Sequence, residues 1–234
     1  MLDIMNTTMV KVEDTELFIT EPEKSIQIND LPEDKAEVIW KWILVNYPDY
    51  ETFFSFNSER MGNNHEIPTE FLAEINAQLV DDALNFSLNV KDFTPGNGDE
   101  LEIRVLTEAE FAGFAKLHDH CSPNFFWTSK RLQERLDIWQ IHTLETDGNL
   151  VGYVMTMITN QNFAEIFKIK SNNELEFKAL LSTTCQAAFT NGKTEILYMI
   201  EKVAPTSHQQ VAINLGFKET GFYKGFRAAI NEVN

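Results

Sequence analysis

The sequence has few cysteines, no long apolar run, and few basic residues in its first hundred positions. Two cysteines among 234 residues, Cys121 and Cys185, are too few for a disulfide scaffold and predict reduced thiols in a cytosol. No apolar run approaches the roughly 20 residues needed to cross a bilayer, which argues against a membrane protein. Residues 1–10 lack the basic and apolar stretches of a secretory signal, so we expect a cytoplasmic protein.

Basic residues are scarce in one part of the chain only. Residues 1–100 contain 21 Asp and Glu against 6 Lys and Arg, whereas residues 101–234 contain 15 against 13. The first part would repel a phosphate backbone, so a nucleic-acid partner is not expected. The nearly neutral second part can still accept a polyanionic cofactor, and we therefore expect the chemistry there.

The residues that are abundant predict a folded α/β protein. Apolar types make up 43% of the chain and 18 residues are Phe, which is a globular composition. The segment Thr94–Glu100, with one proline and two glycines, is typical of a linker. We therefore predict an acidic α/β domain over residues 1–95 and a second α/β domain, with a mixed sheet, over residues 96–234. Strand–helix–strand–helix–strand recurs in both parts as a topological echo.

Hydrophobic periodicity and turn residues predict the elements of the second domain. Asp147–Asn149 is typical of a hairpin turn between two strands. Thr107 predicts the N-terminus of a helix, with Glu110 completing a capping box. We expect a loop over His118–Trp127 and two last strands across Phe217–Ile230.

Three short motifs, taken in their order, resemble the GNAT superfamily (GCN5-related N-acetyltransferases). They are Gly148–Val154 (Gly-Asn-Leu-Val-Gly-Tyr-Val), Phe163–Ile166 (Phe-Ala-Glu-Ile), and Ala212–Phe217 (Ala-Ile-Asn-Leu-Gly-Phe) followed by Gly221–Tyr223. The predicted order of elements matches that family over essentially the whole second domain. The resemblance implies a GNAT-like acyl-CoA N-acyltransferase fold, preceded by a smaller α/β domain that is a candidate degenerate half of the same fold.

The resemblance also implies acetyl-CoA as a co-substrate, held by strand amides and by the start of the following helix. The two glycines of the family's phosphate loop fall here on Leu175 and Phe177, which add bulk, while Glu174 and Glu176 add negative charge. Nearby lysines offset part of that charge. The residues assigned to the cofactor in this way are Phe167, Lys168, Ile169, Lys170, Asn172, Asn173, Leu175, Phe177 and Lys178.

Catalytic candidates follow from the same resemblance. Histone-acetylating members carry a base in a similar Phe-Ala-Glu-Ile, which implies that role for Glu165, with a solvated strand-end glutamate as the alternative. The family's general-acid tyrosine would fall near Ala212, so Tyr223 is the tyrosine kept as a candidate, with another group or water as the alternative proton source. An apolar acceptor wall, or else simple packing on the core, is predicted for Phe125, Phe126 and Trp127.

The run His118–Cys121 does not predict a metal site, because four adjacent side chains cannot all point to one ion. Two functions stay open at this stage. One is an N-acetyltransferase that moves an acyl group from acetyl-CoA to a primary amine of a small molecule or peptide. The other is a catalytically inactive GNAT-like module that binds a ligand or a protein, which the loss of both glycines and of the helix tyrosine favours.

Overall fold

The computed structural model describes residues 7–21, 24–58, 66–96, 101–122 and 127–229. Its strands and helices in chain order are β1 (Thr7–Val12), β2 (Thr15–Thr20), β3 (Ser25–Asn29), α1 (Ala36–Asn46), β4 (Glu51–Asn57), α2 (Thr69–Glu74), β5 (Gln78–Asn89), β6 (Glu102–Val105), α3 (Phe111–Cys121), α4 (Ser129–Glu134), β7 (Trp139–Thr146), β8 (Asn149–Met157), β9 (Phe163–Lys170), α5 (Glu174–Thr190), β10 (Glu195–Glu201), α6 (Thr206–Asn214) and β11 (Lys218–Ala229).

The chain divides into two compact units, and each takes a segment from the other half of the sequence. The first unit comprises Met1–Leu84, Glu201–Val203 and Thr220–Asn234, and the second comprises Asn85–Ile200 and Ala204–Glu219. The predicted domain limits, 1–95 and 96–234, stay a prediction, since these units follow other boundaries.

The start of the predicted linker lies in the second unit. The Thr94 N–H donates to the Leu215 carbonyl at 3.0 Å, and the Gly96 N–H donates to the Ser182 hydroxyl at 2.9 Å. Residues 97–100 lie outside the described part of the chain.

The first unit has the strand order β1-β2-β3-β4-β11. Alternation along β3 and β4 turns Ile26, Ile28 and Phe54 inward, where each is at most 1% exposed. Helix α1 covers them with Ile39 and Ile43, which lie one turn apart and are fully buried. The strand pair β3 and β4 is parallel, and the helix forms the crossover between them.

The second unit has the strand order β5-β10-β9-β8-β7-β6, with helices on both faces. Tyr153 of β8 meets Phe114 of α3 edge to face, with ring centroids 5.1 Å apart. The neighbouring residue, Gly152, faces α5, where an added Cβ would lie 3.2 Å from Leu180. Successive residues of a strand point to opposite faces, so α3 and α5 cover opposite sides of this sheet.

The predicted capping box at the start of the second unit's first helix is confirmed. The Thr107 backbone N–H and hydroxyl both donate to Glu110 Oε2, at 3.0 and 2.7 Å. The predicted loop at His118–Trp127 is wrong for its first four residues, because α3 continues to Cys121. Burial of His118 beside Phe114 extends the packed face of the helix by one turn.

The end of the chain also differs from prediction. A single long strand, β11, replaces the two strands expected across Phe217–Ile230. Its residues Tyr223–Ala229 pair in an antiparallel ladder with Glu51–Asn57 of β4. Glycines 221 and 225 therefore lie within a continuous strand and do not break it.

Candidate functional site

The parallel strands β9 and β10 separate before either one ends. Their ladder pairs Phe163–Ile166 with Glu195–Tyr198. Strand β9 then continues for four residues, Phe167–Lys170, and β10 for three. Within the described part of the chain, Lys168, Ile169 and Lys170 have ladder partners on β8 only, and Phe167 has none on either strand. On its β10 side, this stretch therefore has no ladder partner among the described residues.

Strand β8 follows β9 to its end, but with one irregularity. Lys170 lies opposite Tyr153, and Lys168 lies opposite Met155; the register then shifts, so that Ile166 faces Thr156. Phe167 is the extra residue at this bulge, and its ring meets Trp139 edge to face at 5.1 Å. A bulge increases local twist and bends the strand, which accounts for the separation from β10 at this residue.

The cofactor residues predicted on the strand coincide with this open stretch. Phe167, Lys168, Ile169 and Lys170 are all half-buried, between the fully buried Ile166 and the exposed loop that precedes α5. The structure thus gathers four of the nine predicted residues at one backbone edge.

The remaining predicted cofactor residues lie at the start of α5, where the backbone N–H groups of Asn172 and Glu176 already donate hydrogen bonds within the chain. The Asn172 N–H donates to Glu176 Oε2 at 2.7 Å, and the Asn173 side-chain amide donates to Glu176 Oε1 at 3.0 Å. Asn173 in turn accepts the Glu176 N–H at 2.9 Å and forms the N-cap. The sequence prediction missed this arrangement, although Asn-Glu-Leu-Glu over 173–176 carries the spacing of a capping box.

The nearby lysines are engaged by the loop and by the segment before it. The Lys170 ammonium donates to the Ser171 carbonyl at 3.0 Å and to Asn172 Oδ1 at 2.9 Å. Lys178 lies along Gly96, where a Cβ would come within 2.8 Å of its Cε. Gly96 therefore allows the incoming chain to lie directly on α5.

The two residues at the family's glycine positions behave differently from each other. The Leu175 side chain is 61% exposed, so it does not pack into the space between the helices. Phe177 is 1% exposed, and its ring stacks flat on His208 of α6, with centroids 3.8 Å apart and planes 4° apart. Burial lowers the pKa of His208, which keeps the imidazole neutral against the phenyl ring. The stack joins the first turns of the two helices that follow the separating strands.

The two predicted catalytic residues belong to different compact units. Glu165 is half-buried on β9, one residue before the ladder ends, with Leu197 of β10 and Met157 of β8 as its register partners. Tyr223 is half-buried on β11 in the first unit, where it pairs with Asn57. Their catalytic roles stay predictions.

The predicted acceptor wall is only partly described. Phe125 and Phe126 lie outside the described residues. Trp127 is 7% exposed and meets Trp139 edge to face at 5.0 Å, so it belongs to the core under α3 and α4. Packing on the core, the alternative that the sequence left open, describes Trp127 as it stands.

A buried histidine holds Trp127 in this position, which the sequence did not predict. The His118 ring lies 2.7 Å from the Trp127 carbonyl through Nε2 and 2.8 Å from the Tyr153 hydroxyl through Nδ1. A carbonyl only accepts, so Nε2 carries the hydrogen and Nδ1 accepts from Tyr153. Burial lowers the pKa of His118 and raises the pKa of Tyr153 to about 12, so both groups stay neutral.

Two further observations limit the kinds of site. Among the described residues, no three His, Cys, Asp or Glu side chains come together as a metal site would require. No described helix is both long and apolar enough to cross a membrane.

The order of elements in the second unit is that of the GNAT fold, with a parallel strand pair that separates and a helix after each of those two strands. Solved structures confirm this predicted fold. A functionally unknown conserved protein from Staphylococcus epidermidis is 13% identical with a TM-score of 0.69, covering 97% of this chain and 96% of that one. A GCN5-related N-acetyltransferase from Kribbella flavida has the same identity and TM-score, with 96% and 90% covered.

A tandem GNAT protein from the clavulanic acid biosynthesis pathway is also similar, at 11% identity and a TM-score of 0.59, with 98% of this chain and 85% of that chain covered. No protein-family model and no curated protein matches this chain in sequence. At these identities the likeness establishes the fold, and function has to be argued from the site.

Proposed function

We propose that this protein is an N-acyltransferase that acts in the cytoplasm on a primary amine, using a thioester donor bound beside β9. The observation that carries the proposal is the early end of the β9–β10 ladder at Ile166 and Tyr198. The next four residues, Phe167–Lys170, have no ladder partner on β10, and the N–H and C=O groups of alternate residues of this stretch point to that side. A long thin arm with amide groups can pair with such an edge as a further strand does.

The chemistry divides between this edge and Glu165. The amine nitrogen attacks the thioester carbonyl, the carbon–sulfur bond breaks, and the amine gives up a proton. Glu165 is the group proposed to take that proton, because it lies on β9 one residue before the open stretch. Backbone N–H groups of the open stretch are placed to stabilise the oxyanion. Tyr223 stays a predicted proton donor, with another group or water as the alternative.

The residues present fit only one part of acetyl-CoA, the donor that the fold family implies. The strand edge Phe167–Lys170 suits the pantetheine arm. The start of α5 does not suit the diphosphate, because Glu176 occupies the Asn172 amide and Phe177 is buried against His208. The acceptor, a small-molecule or peptide amine, is proposed from the reaction class alone.

A second candidate is a catalytically inactive module of the same fold that binds a ligand or a protein. The occupied amides at Asn172 and Glu176 favour it, because a binding module does not need an intact phosphate loop. The two candidates differ in whether a bound thioester is turned over.

Binding and turnover together test these proposals on the full chain. Acetyl-CoA and S-acetylpantetheine are each titrated by calorimetry, and thiol release is then followed with a panel of primary amines. We expect thioester binding with amine-dependent thiol release, which Glu165→Gln reduces by roughly a hundredfold while binding is kept. Glu102→Gln, on the exposed part of β6, serves as the matched control and should leave both unchanged.

Three other outcomes would each contradict a part of this proposal. Thioester binding without amine-dependent turnover identifies the inactive module. Unchanged turnover in Glu165→Gln removes that residue as the base. Failure of both thioesters to bind at millimolar concentration overturns the proposed function as a whole.

A further inference from the structure

The anion-binding end of α5 already holds a carboxylate of this chain. Glu176 accepts the Asn172 N–H at 2.7 Å and the Asn173 side-chain amide at 3.0 Å, and its own N–H is bound by Asn173 at 2.9 Å. Backbone N–H groups at a helix N-terminus are what a phosphate would bind. A diphosphate therefore has to displace Glu176 before it can use the Asn172 N–H.

Charge around this turn opposes such a displacement. A displaced Glu176 carboxylate stays on the same helical turn, where it repels a phosphate together with the exposed Glu174. The ammonium group of Lys170, two residues before Asn172, donates to the Ser171 carbonyl and to Asn172 Oδ1. It supports the loop in its present form and is not directed at Glu176.

The space between α5 and α6 is also closed in the first turn. The flat stack of Phe177 on His208 leaves no gap between the two rings, since 3.8 Å between centroids is van der Waals contact. Phe177 is fully buried, so moving it would expose a large apolar side chain. The first turn of α5 therefore offers no room for a ligand between the two helices.

We propose that Glu176 selects the donor, and that the second unit takes a pantetheine thioester that carries no diphosphate. This inference rests on the proposed function, since it places the pantetheine arm beside Phe167–Lys170. The arm is uncharged and amide-bearing, so it meets the open strand edge without facing Glu174 or Glu176 at close range. A nucleotide diphosphate on the same arm meets both carboxylates.

The test compares two donors that differ only in the nucleotide part. The dissociation constants of S-acetylpantetheine and acetyl-CoA are measured by calorimetry for the full-length wild type and for Glu176→Gln. Glutamine keeps one oxygen for the Asn172 N–H and loses the bond from the Asn173 side-chain amide, while the N-cap bond from the residue 176 N–H to Asn173 is unaffected and the charge is removed. We expect the wild type to bind S-acetylpantetheine at least as tightly as acetyl-CoA. In Glu176→Gln, acetyl-CoA should bind roughly tenfold more tightly, with S-acetylpantetheine unchanged within about twofold.

Glu174→Gln is the matched control, because it removes one charge from the same turn without touching the Asn172 amide. It should tighten acetyl-CoA binding by less than about threefold, because Glu174 is exposed and its charge is screened by solvent, and should leave S-acetylpantetheine binding unchanged. The inference is overturned if the wild type prefers acetyl-CoA by about tenfold, or if Glu176→Gln leaves the ratio of the two constants unchanged. Failure of both donors to bind all three proteins overturns the proposed function itself, and the inference with it.

Discussion

The two compact units contain the same succession of strands and helices but treat their parallel strand pair in opposite ways. Along the chain, the hairpin β1–β2 is followed by β3, α1, β4, α2 and β5, and the hairpin β7–β8 is followed by β9, α5, β10, α6 and β11. Strand β5 belongs to the strand order of the second unit, and β11 to that of the first. Each central pair, β3–β4 and β9–β10, is parallel and joined by a helix. The predicted topological echo is therefore present in the element order, as expected of a degenerate half of the GNAT fold.

The pair in the first unit is closed along its length. All five residues of β3 pair with β4, from Ser25 opposite Glu51 to Asn29 opposite Ser55. The pairing continues one residue further, since the Asp30 N–H donates to the Ser55 carbonyl at 2.7 Å and the Asp30 carboxylate accepts the Asn57 N–H at 2.9 Å. This pair leaves no edge for a ligand.

The pair in the second unit is closed for four residues and then opens at the bulge of Phe167. Topology alone therefore does not open the strand pair in this fold. One register shift on β9 supplies an open backbone edge, and its absence on β3 leaves the first unit with a continuous sheet. This is why the proposed chemistry is placed in the second unit.

Hydrogen exchange should give the largest measurable difference between the two pairs. Amides of Phe167–Lys170 that point away from β8 should exchange at least about a hundredfold faster than those of Thr52–Ser55 on β4, which is paired on both sides. The measurement is amide exchange by NMR or mass spectrometry at neutral pH. A bound thioester should slow the β9 amides and leave those of β4 unchanged.

Equal protection of the two stretches in the free protein would contradict the open edge. Slowing of the β4 amides by a thioester, with no change on β9, would move the binding site to the first unit.

The parts of this comparison that could be predicted from sequence are those with a local signal. Alternation and turn residues predict a strand over Phe163–Ile169, a helix over Glu174–Phe189 and a strand over Glu195–Ile200, and β9, α5 and β10 each end one residue later. Strand β1 was missed because its residues alternate between exposed and half-buried, so no apolar face marks it. Asn173 and Glu176 have the spacing of a capping box. The sequence prediction missed it because it aligned Leu175 and Phe177 in this loop with the family's glycines.

Contacts between residues far apart in the chain could not be predicted from the sequence. Tyr223 was assigned to the second domain by its position in the chain, whereas β11 pairs with β4, more than 160 residues earlier. Nothing in a strand's own sequence specifies such a partner. The burial of His118 between Phe114 and Tyr153 likewise depends on a contact across 35 residues, which the predicted loop over His118–Trp127 did not include.

Acid should weaken the second unit before the first. His142 on β7 is 2% exposed, and burial lowers its pKa from 6.5 to about 4. Above pH 6.5 the ring is neutral in both states and adds no pH dependence. Between pH 6.5 and 4 the unfolded chain binds a proton that the folded chain excludes. The free energy of unfolding should therefore fall by roughly 2–3 kcal/mol from this group at pH 4.5.

The measurement is denaturant unfolding at pH 7 and at pH 4.5. His142→Asn keeps a polar partner for Thr184, which lies 3.1 Å from the ring, and should lose less free energy on acidification than the wild type. The exposed His120→Asn is the matched control and should behave as the wild type does. An identical acid response in His142→Asn would refute the assignment.

The smallest effect on stability is expected at Asp30, which extends the pairing of β3 and β4 by one residue. Asp30 has a positive φ of 51° and its carboxylate binds the Asn57 N–H. Asp30→Ala loses the bond and strains the backbone, so unfolding should cost roughly 1–2 kcal/mol less. Asp30→Gly loses the bond but relieves the strain, and should fall between Asp30→Ala and the wild type. Asp30→Asn keeps both and is the control. If Asp30→Ala is as stable as Asp30→Asn, then this residue does not hold the pair closed, and the closure of β3 on β4 rests on the ladder and the buried aliphatic face alone.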